Sequence, residues 1–181
     1  MTKYYGFYTK NAGKSIKGNR IIYNVDENKN VFVCNGNVLF KMTNYDYNTM
    51  IRPVTMCDPG NWIIDEHGKN ELVPGQYNLP DLLEKNIAAF KAADNTILQR
   101  CPALWDAGRK TKAVGFYNAD NDFCVFANDL FVSFFDPVVK LHGTGAFAPI
   151  VAVAGDEIIG IVMPIKTEAN KHKAIKAYFE K

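Results

Sequence analysis

The sequence is poor in the residues from which active sites are assembled. It has three histidines, His67, His142 and His172, in three separate contexts, and four cysteines, Cys34, Cys57, Cys101 and Cys124, with no C-x-x-C pair. That spacing excludes zinc-ribbon, thioredoxin-like and zinc-deaminase patterns. Cys34 and Cys124 lie in apolar runs and read as buried, reduced thiols. No G-x-G-x-x-G occurs, and "NAGKS" (Asn11–Ser15) ends like a phosphate loop but has Tyr8 where that motif requires its first glycine. No run approaches the eighteen apolar residues of a membrane helix. The opening "MTKYYGFYTKNAGK" also lacks the apolar core and cleavage site of a secretion signal, so the expected location is cytoplasmic. Charge of one sign is scarce too: the formal net charge is +2. Residues 1–60 carry eight basic and four acidic groups, and residues 61–130 seven basic and ten acidic. This mild asymmetry falls short of the strongly basic surface of an autonomous DNA-binding domain.

Aromatic and aliphatic residues are plentiful. The chain of 181 residues is 48% hydrophobic, with 12 Phe and 9 Tyr. That is enough to bury the core of one globular domain, or of two small lobes. The order of segments predicts an α+β fold. "RIIYNV", "VFVC" and "NVLFKM" read as three strands of a meander, punctuated by "DENKN" and by the hairpin signal Asn35–Gly36. Residues 51–76 are broken by Pro53, Pro59 and Pro74 and read as an irregular insert, with short strands at "NWIID" and "ELV". A helix starts after Asn78, its cap, with Pro80 and Asp81 in the first turn, and places Leu82, Leu83, Ile87 and Phe90 on one stripe. Its exit is expected near Cys101–Pro102. "TKAVGFYN", "FCVFA" and "LFVSFF" then read as a second three-strand meander, with turns at "ADND" and "ND". "DPVVKLHGTG" reads as a short helix capped by Asp136, with His142 at its C-terminal end. "FAPIVAVA" and "EIIGIVMPIK" form a hairpin about Gly155–Asp156. Residues 167–181 are expected to form a C-terminal helix whose apolar side is Ala174, Ile175, Tyr178 and Phe179.

The tetrapeptides "YNVD" (Tyr23–Asp26) and "YNAD" (Tyr117–Asp120) introduce the two meanders. The echo suggests an internal duplication, with two similar helix-plus-antiparallel-strand halves sharing one core across residues 1–166.

The ending "GAFAPIVAVAGDEIIGIVMPIK", with Pro149, Gly155–Asp156, Val162–Met163–Pro164 and Lys166, resembles the final hairpin of DNA sliding-clamp domains. "RIIYNVDENKNVFVCNGNVLFKMT" resembles the opening strands of such a domain. The likeness runs loosely over residues 10–50 and 78–166. It implies a single clamp-like domain of two helix-plus-strand units, helices toward DNA and curved sheets outside. A bacterial processivity clamp has three such domains per subunit, whereas this chain has room for one. The resemblance therefore implies a derived, non-enzymatic role: a phage or mobile-element protein such as an anti-CRISPR, acting as inhibitor or accessory factor of a DNA-handling nuclease complex. A DNA-binding clamp-like replication module and an unrecognised enzyme are the alternatives.

The candidate sites follow. Lys10, Lys14, Lys17 and Arg20 line one face if "KNAGKSIKGNR" is helical, and are the candidate contacts to double-stranded DNA. Tyr45 and Tyr47 share one side of "NYDYN" if it is extended, which suits a protein interface, base stacking or edge-strand packing. Trp62 and Trp105 are the other interface candidates, with Trp105 serving either the core or a partner. The acids Asp65, Glu66, Asp120, Asp122 and Asp129 mostly fall in turns, where backbone bonding explains them. No catalytic residue, metal or cofactor is expected. The expected partners are a protein in a nucleic-acid-handling complex, DNA itself, or a second copy of the chain, and no membrane.

Overall fold

The computed structural model describes residues 21–28, 30–42, 48, 59–65, 68–73, 75–93, 96–108, 111–133, 135 and 137–180. These form a mixed α+β structure of antiparallel strands and three helices. The chain divides into two compact units, residues 1–85 and 86–181.

The first unit carries the expected meander, β1 (Ile21–Val25), β2 (Val31–Cys34) and β3 (Val38–Met42). Its buried side chains include Ile22, Tyr23, Val25, Val31, Val33, Leu39, Phe40 and Met42. Each turn has an identifiable cause. Asp26 accepts the Asn30 backbone N–H at 2.7 Å and its side-chain amide at 2.8 Å. In the second turn Gly36 takes φ +87°, and the Asn35 side chain accepts the N–H groups of Asn37 and Val38. The central residues of that hairpin are Gly36–Asn37, one place later than the sequence suggests, with glycine at the first central position as in a type II′ turn.

Within the segment read as an insert, β4 (Gly60–Asp65) and β5 (Gly68–Glu71) form a hairpin. The return strand is "GKNE", not "ELV". β4 pairs antiparallel with β1, Tyr23 opposite Trp62, giving the order β5-β4-β1-β2-β3. Helix α1 (Leu79–Ala92) begins where the cap predicts: the Asn78 side chain accepts the Asp81 N–H. Its stripe is shifted, however. Leu79 and Leu83 are buried, Ile87 and Phe90 are half-buried, and Leu82 faces outward at 44% exposure.

In the second unit one ladder runs β12-β11-β10-β6: β6 (Thr96–Ile97), β10 (Lys140–Gly143), β11 (Ile150–Ala154) and β12 (Glu157–Val162). A three-stranded meander has the order β7-β8-β9: β7 (Gln99–Asp106), β8 (Lys112–Asn118) and β9 (Phe123–Asn128). Three sequence expectations are corrected here. Cys101–Pro102 is not an exit but the middle of β7. Proline is tolerated because β7 is an edge strand whose register breaks between Arg100 and Leu104. "LFVSFF" is not a strand. Asn128 accepts the Leu130 N–H at 3.0 Å and caps the one-turn helix α2 (Asp129–Val132), which Ser133 closes by donating to the Leu130 carbonyl. "KLHG" is strand β10 rather than the end of a helix, because ladders on both sides, to β11 and β6, supply its backbone partners.

The C-terminal helix α3 (Ala169–Phe179) forms as expected but turns a different face inward. Ile175 is fully buried and His172 and Phe179 are half-buried, a spacing of three and four residues, while Ala174 and Tyr178 are exposed.

Candidate functional site

A constellation of polar groups lies where α3 meets the three-stranded sheet. Beneath it is an apolar cluster of Cys101, Ala113, Tyr117, Cys124, Phe126 and Ile175, with Trp105, Ile165 and Phe179 packed against it. The chain is pressed close there. A Cβ built on Gly115 would overlap Ile175 Cδ1 and stand 3.0 Å from its Cγ1 and 3.1 Å from Phe126 Cε1. Glycine at this position lets the helix approach the strand, which a side chain would prevent.

Around this cluster the polar groups act as fasteners. The Tyr117 hydroxyl donates to Asp122 Oδ1 at 3.0 Å, and Lys176 Nζ donates to Asp122 Oδ2 at 2.6 Å. Asp122 itself sits in the left-handed region, φ +48°, at the end of the β8–β9 turn. The Lys176 ammonium and then the Tyr117 hydroxyl hold its carboxyl below the usual carboxylate range. The same carboxylate raises the pKa of Lys176 and, ahead of burial, that of Tyr117. The Tyr117 ring stacks on Phe179 at 5.6 Å, so its hydroxyl lies at the rim of the buried face. At the helix's other end Lys171 Nζ donates to the Asp106 carbonyl at 3.0 Å. The Asp106 carboxyl is lowered chiefly by the Gly108 N–H, with Lys112 second.

The Cys124 thiol donates to the backbone carbonyl of His172 at 3.6 Å, while the His172 ring turns away to Thr167 Oγ1, 3.0 Å from Nε2. These two residues therefore make no nucleophile–base pair. Burial, and secondarily Asp122, pushes the thiol up, away from the reactive thiolate. Cys34 is likewise raised by burial, its sulfur accepting the Gly36 N–H. His142 in β10 stands edge-on to Phe90 at 5.5 Å, and its Nδ1 is buried without a hydrogen-bond partner among the described residues. Burial and then Lys140 lower its pKa. No group of three or more His, Cys, Asp or Glu that could hold a metal occurs among the described residues. No helix there is long and apolar enough to cross a membrane.

The structure places the sequence-derived candidates unevenly. Lys10, Lys14, Lys17, Arg20, Tyr45 and Tyr47 lie outside the described residues, as do Cys57, Glu66, His67 and Asp136. Trp62 is half-buried in β4. Trp105 is half-buried in β7, edge-on to Phe126 at 5.5 Å, so its ring serves the core. Asp129 pairs with Arg100 at 2.7 Å, and Asp120 is exposed in its turn.

No family model, curated protein or solved structure matches this chain.

The echoed tetrapeptides hold different jobs. Asn24 bonds Asn61 on the neighbouring strand, and Asp26 closes the first turn. In the second copy Asn118, fully buried, bonds Thr96 through Nδ2 and closes the turn by accepting the Asn121 N–H at 3.0 Å. Sequence reasoning missed the pairing of Asp122, read as a turn acid, with Lys176, and the inward placement of His172. The signal for the last was the 172/175/179 spacing on the final helix.

Proposed function

We propose that this chain is a non-enzymatic binding protein whose partner is a protein of a nucleic-acid-handling complex. The observation that carries the reading is the exposure of large apolar side chains on turns of the second unit. Phe147 is 71% exposed and Val138 84% exposed. Burying either would stabilise the fold by about 1.5–3 kcal/mol. Side chains left open in this way are available for a partner to cover. Several ionisable groups of that unit, by contrast, are engaged with one another: Arg100 with Asp129, Lys112 with Asp106 and Lys176 with Asp122. The class of partner rests on the likeness to sliding-clamp domains. Two clamp-like halves are part of this reading and rest on the sequence echo between Tyr23–Asp26 and Tyr117–Asp120. On this reading the protein inhibits or assists a DNA-handling nuclease, as a mobile-element product would.

The test is a capture experiment with identification of the retained proteins, run beside a fluorescence anisotropy titration of duplex DNA at two salt concentrations. The expected result is capture of a nuclease or replication protein by the wild type, lost in a Phe147→Ser/Val138→Ser variant of unchanged melting temperature, with no DNA binding. Tight, salt-sensitive DNA binding that Lys14→Glu/Lys17→Glu weakens would replace this reading with the clamp-like DNA module.

A further inference from the structure

We propose that the C-terminal helix α3 is a pH-gated latch, released from the three-stranded sheet when His172 takes up a proton. The helix is held by few groups. Of its eleven residues only Ile175 is buried. The anchors at its ends, Lys171 to the Asp106 carbonyl and Lys176 to Asp122, are exposed. His172 occupies the inner face between them, its ring 5.0 Å from that of Phe126 and its Nε2 on Thr167.

No carboxylate forms an ion pair with the His172 ring among the described residues. From β9 come Phe126 and the neutral Cys124, and the segment before the helix supplies Thr167 and Ile165. The rest of the cluster under the helix, Cys101, Ala113, Trp105 and Tyr117, is uncharged. The charged groups on adjoining elements are Asp106 and Lys112 at the β7–β8 end and Asp122 at the β8–β9 turn. Asp106 pairs with Lys112 and Asp122 with Lys176. The helix adds Lys171, Lys173 and Lys176, all positive, and Glu168 and Glu180 at its ends, Glu180 being 3.7 Å from Lys176. Burial alone lowers the His172 pKa.

The sign follows. The docked histidine has a pKa below its ordinary value of about 6.5, so the released state binds more protons. Docking is at full strength above about pH 6.5 and weakens as the pH falls below it. The Asp122–Lys176 fastener, whose carboxyl is lowered, fails only below the ordinary carboxylate range near pH 4, so the two windows are separate. Release uncovers Tyr117, Phe126 and the Gly115 slot.

The test is hydrogen exchange of the α3 amides in the full chain between about pH 7.5 and pH 5, corrected for the intrinsic pH dependence of exchange. The opening constant is expected to rise roughly threefold or more toward pH 5 in the wild type. It should stay flat in His172→Gln and in His172→Phe, the second of which keeps the ring contact if the first loosens the helix at every pH. Asp122→Asn should keep the rise. A flat wild-type profile, a rise that survives both His172 variants, or a rise abolished by Asp122→Asn would overturn the proposal.

Discussion

Gly115 and Ile175 give the sharpest test of how α3 docks. In Gly115→Ala the new methyl overlaps Ile175 Cδ1 and is tight against Phe126 Cε1. Overpacking of this kind costs about 1–3 kcal/mol. Gly115 is not in the left-handed region, so alanine also restricts the unfolded chain and returns about 0.4–1 kcal/mol. The net expectation is a loss of up to about 2.5 kcal/mol. Ile175→Val removes only Cδ1 and costs about 0.5–1.5 kcal/mol alone. In the double variant the atom that is overlapped is gone, and the closest approach becomes the 3.0 Å to Cγ1, which a shift of a few tenths of an ångström relieves. The pair should therefore compensate: the double variant is expected to be at least as stable as Gly115→Ala, with a coupling of about 1 kcal/mol or more. Urea unfolding followed by Trp105 fluorescence in a Trp62→Phe background reads this out, since Trp105 packs on the same cluster. Costs that add within about 0.5 kcal/mol would refute the claim that Gly115 exists to admit Ile175.

Among the described residues of the second unit Asn118 is the one buried polar side chain, and truncation to alanine removes its bonds to the Asn121 N–H and the Thr96 hydroxyl; a loss of about 1–3 kcal/mol in urea unfolding is expected. The lowered Asp122 carboxyl contributes stability that is fully present above about pH 4 and is lost as the pH falls through its folded pKa. Melting temperature against pH should therefore drop more shallowly below pH 4 in Asp122→Asn than in the wild type. On α1, Leu83→Ala should cost about 2–5 kcal/mol and Leu82→Ala under about 1 kcal/mol in the same unfolding assay, because the first is buried and the second is not.

Much of the fold was legible because local chemistry and tertiary structure agree in places. Asn78 before Leu79–Pro80–Asp81 is a cap whatever surrounds it, and Asn35–Gly36 and Gly155–Asp156 turn the chain because glycine there takes φ +87° and +61°. What was not legible falls where two local readings compete and a distant partner decides. Asn128–Asp129 serves equally as a hairpin turn or a helix cap, and here the Asn128 side chain caps the Leu130 N–H. "KLHG" has no strong propensity, and it becomes a strand because β11 and β6 offer ladders on both sides. Pro102 reads as a helix exit because a helix interior excludes proline, yet it sits in an irregular edge strand that tolerates it.

The same competition explains why the candidate site escaped the sequence. Tyr117, Asp122, His172 and Lys176 are spread over sixty residues of "YNADND" turn and lysine-rich helix, and each taken alone reads as a solvated polar group. Only the docking of Ile175 over Gly115 gathers them, since it sets which side of α3 faces the sheet and so which lysine reaches Asp122. A helix buried through a single isoleucine needs fasteners at its rim. The fasteners are titratable, and a histidine lies between them. The pH sensitivity argued for α3 thus follows from how little apolar surface this last segment brings to the core.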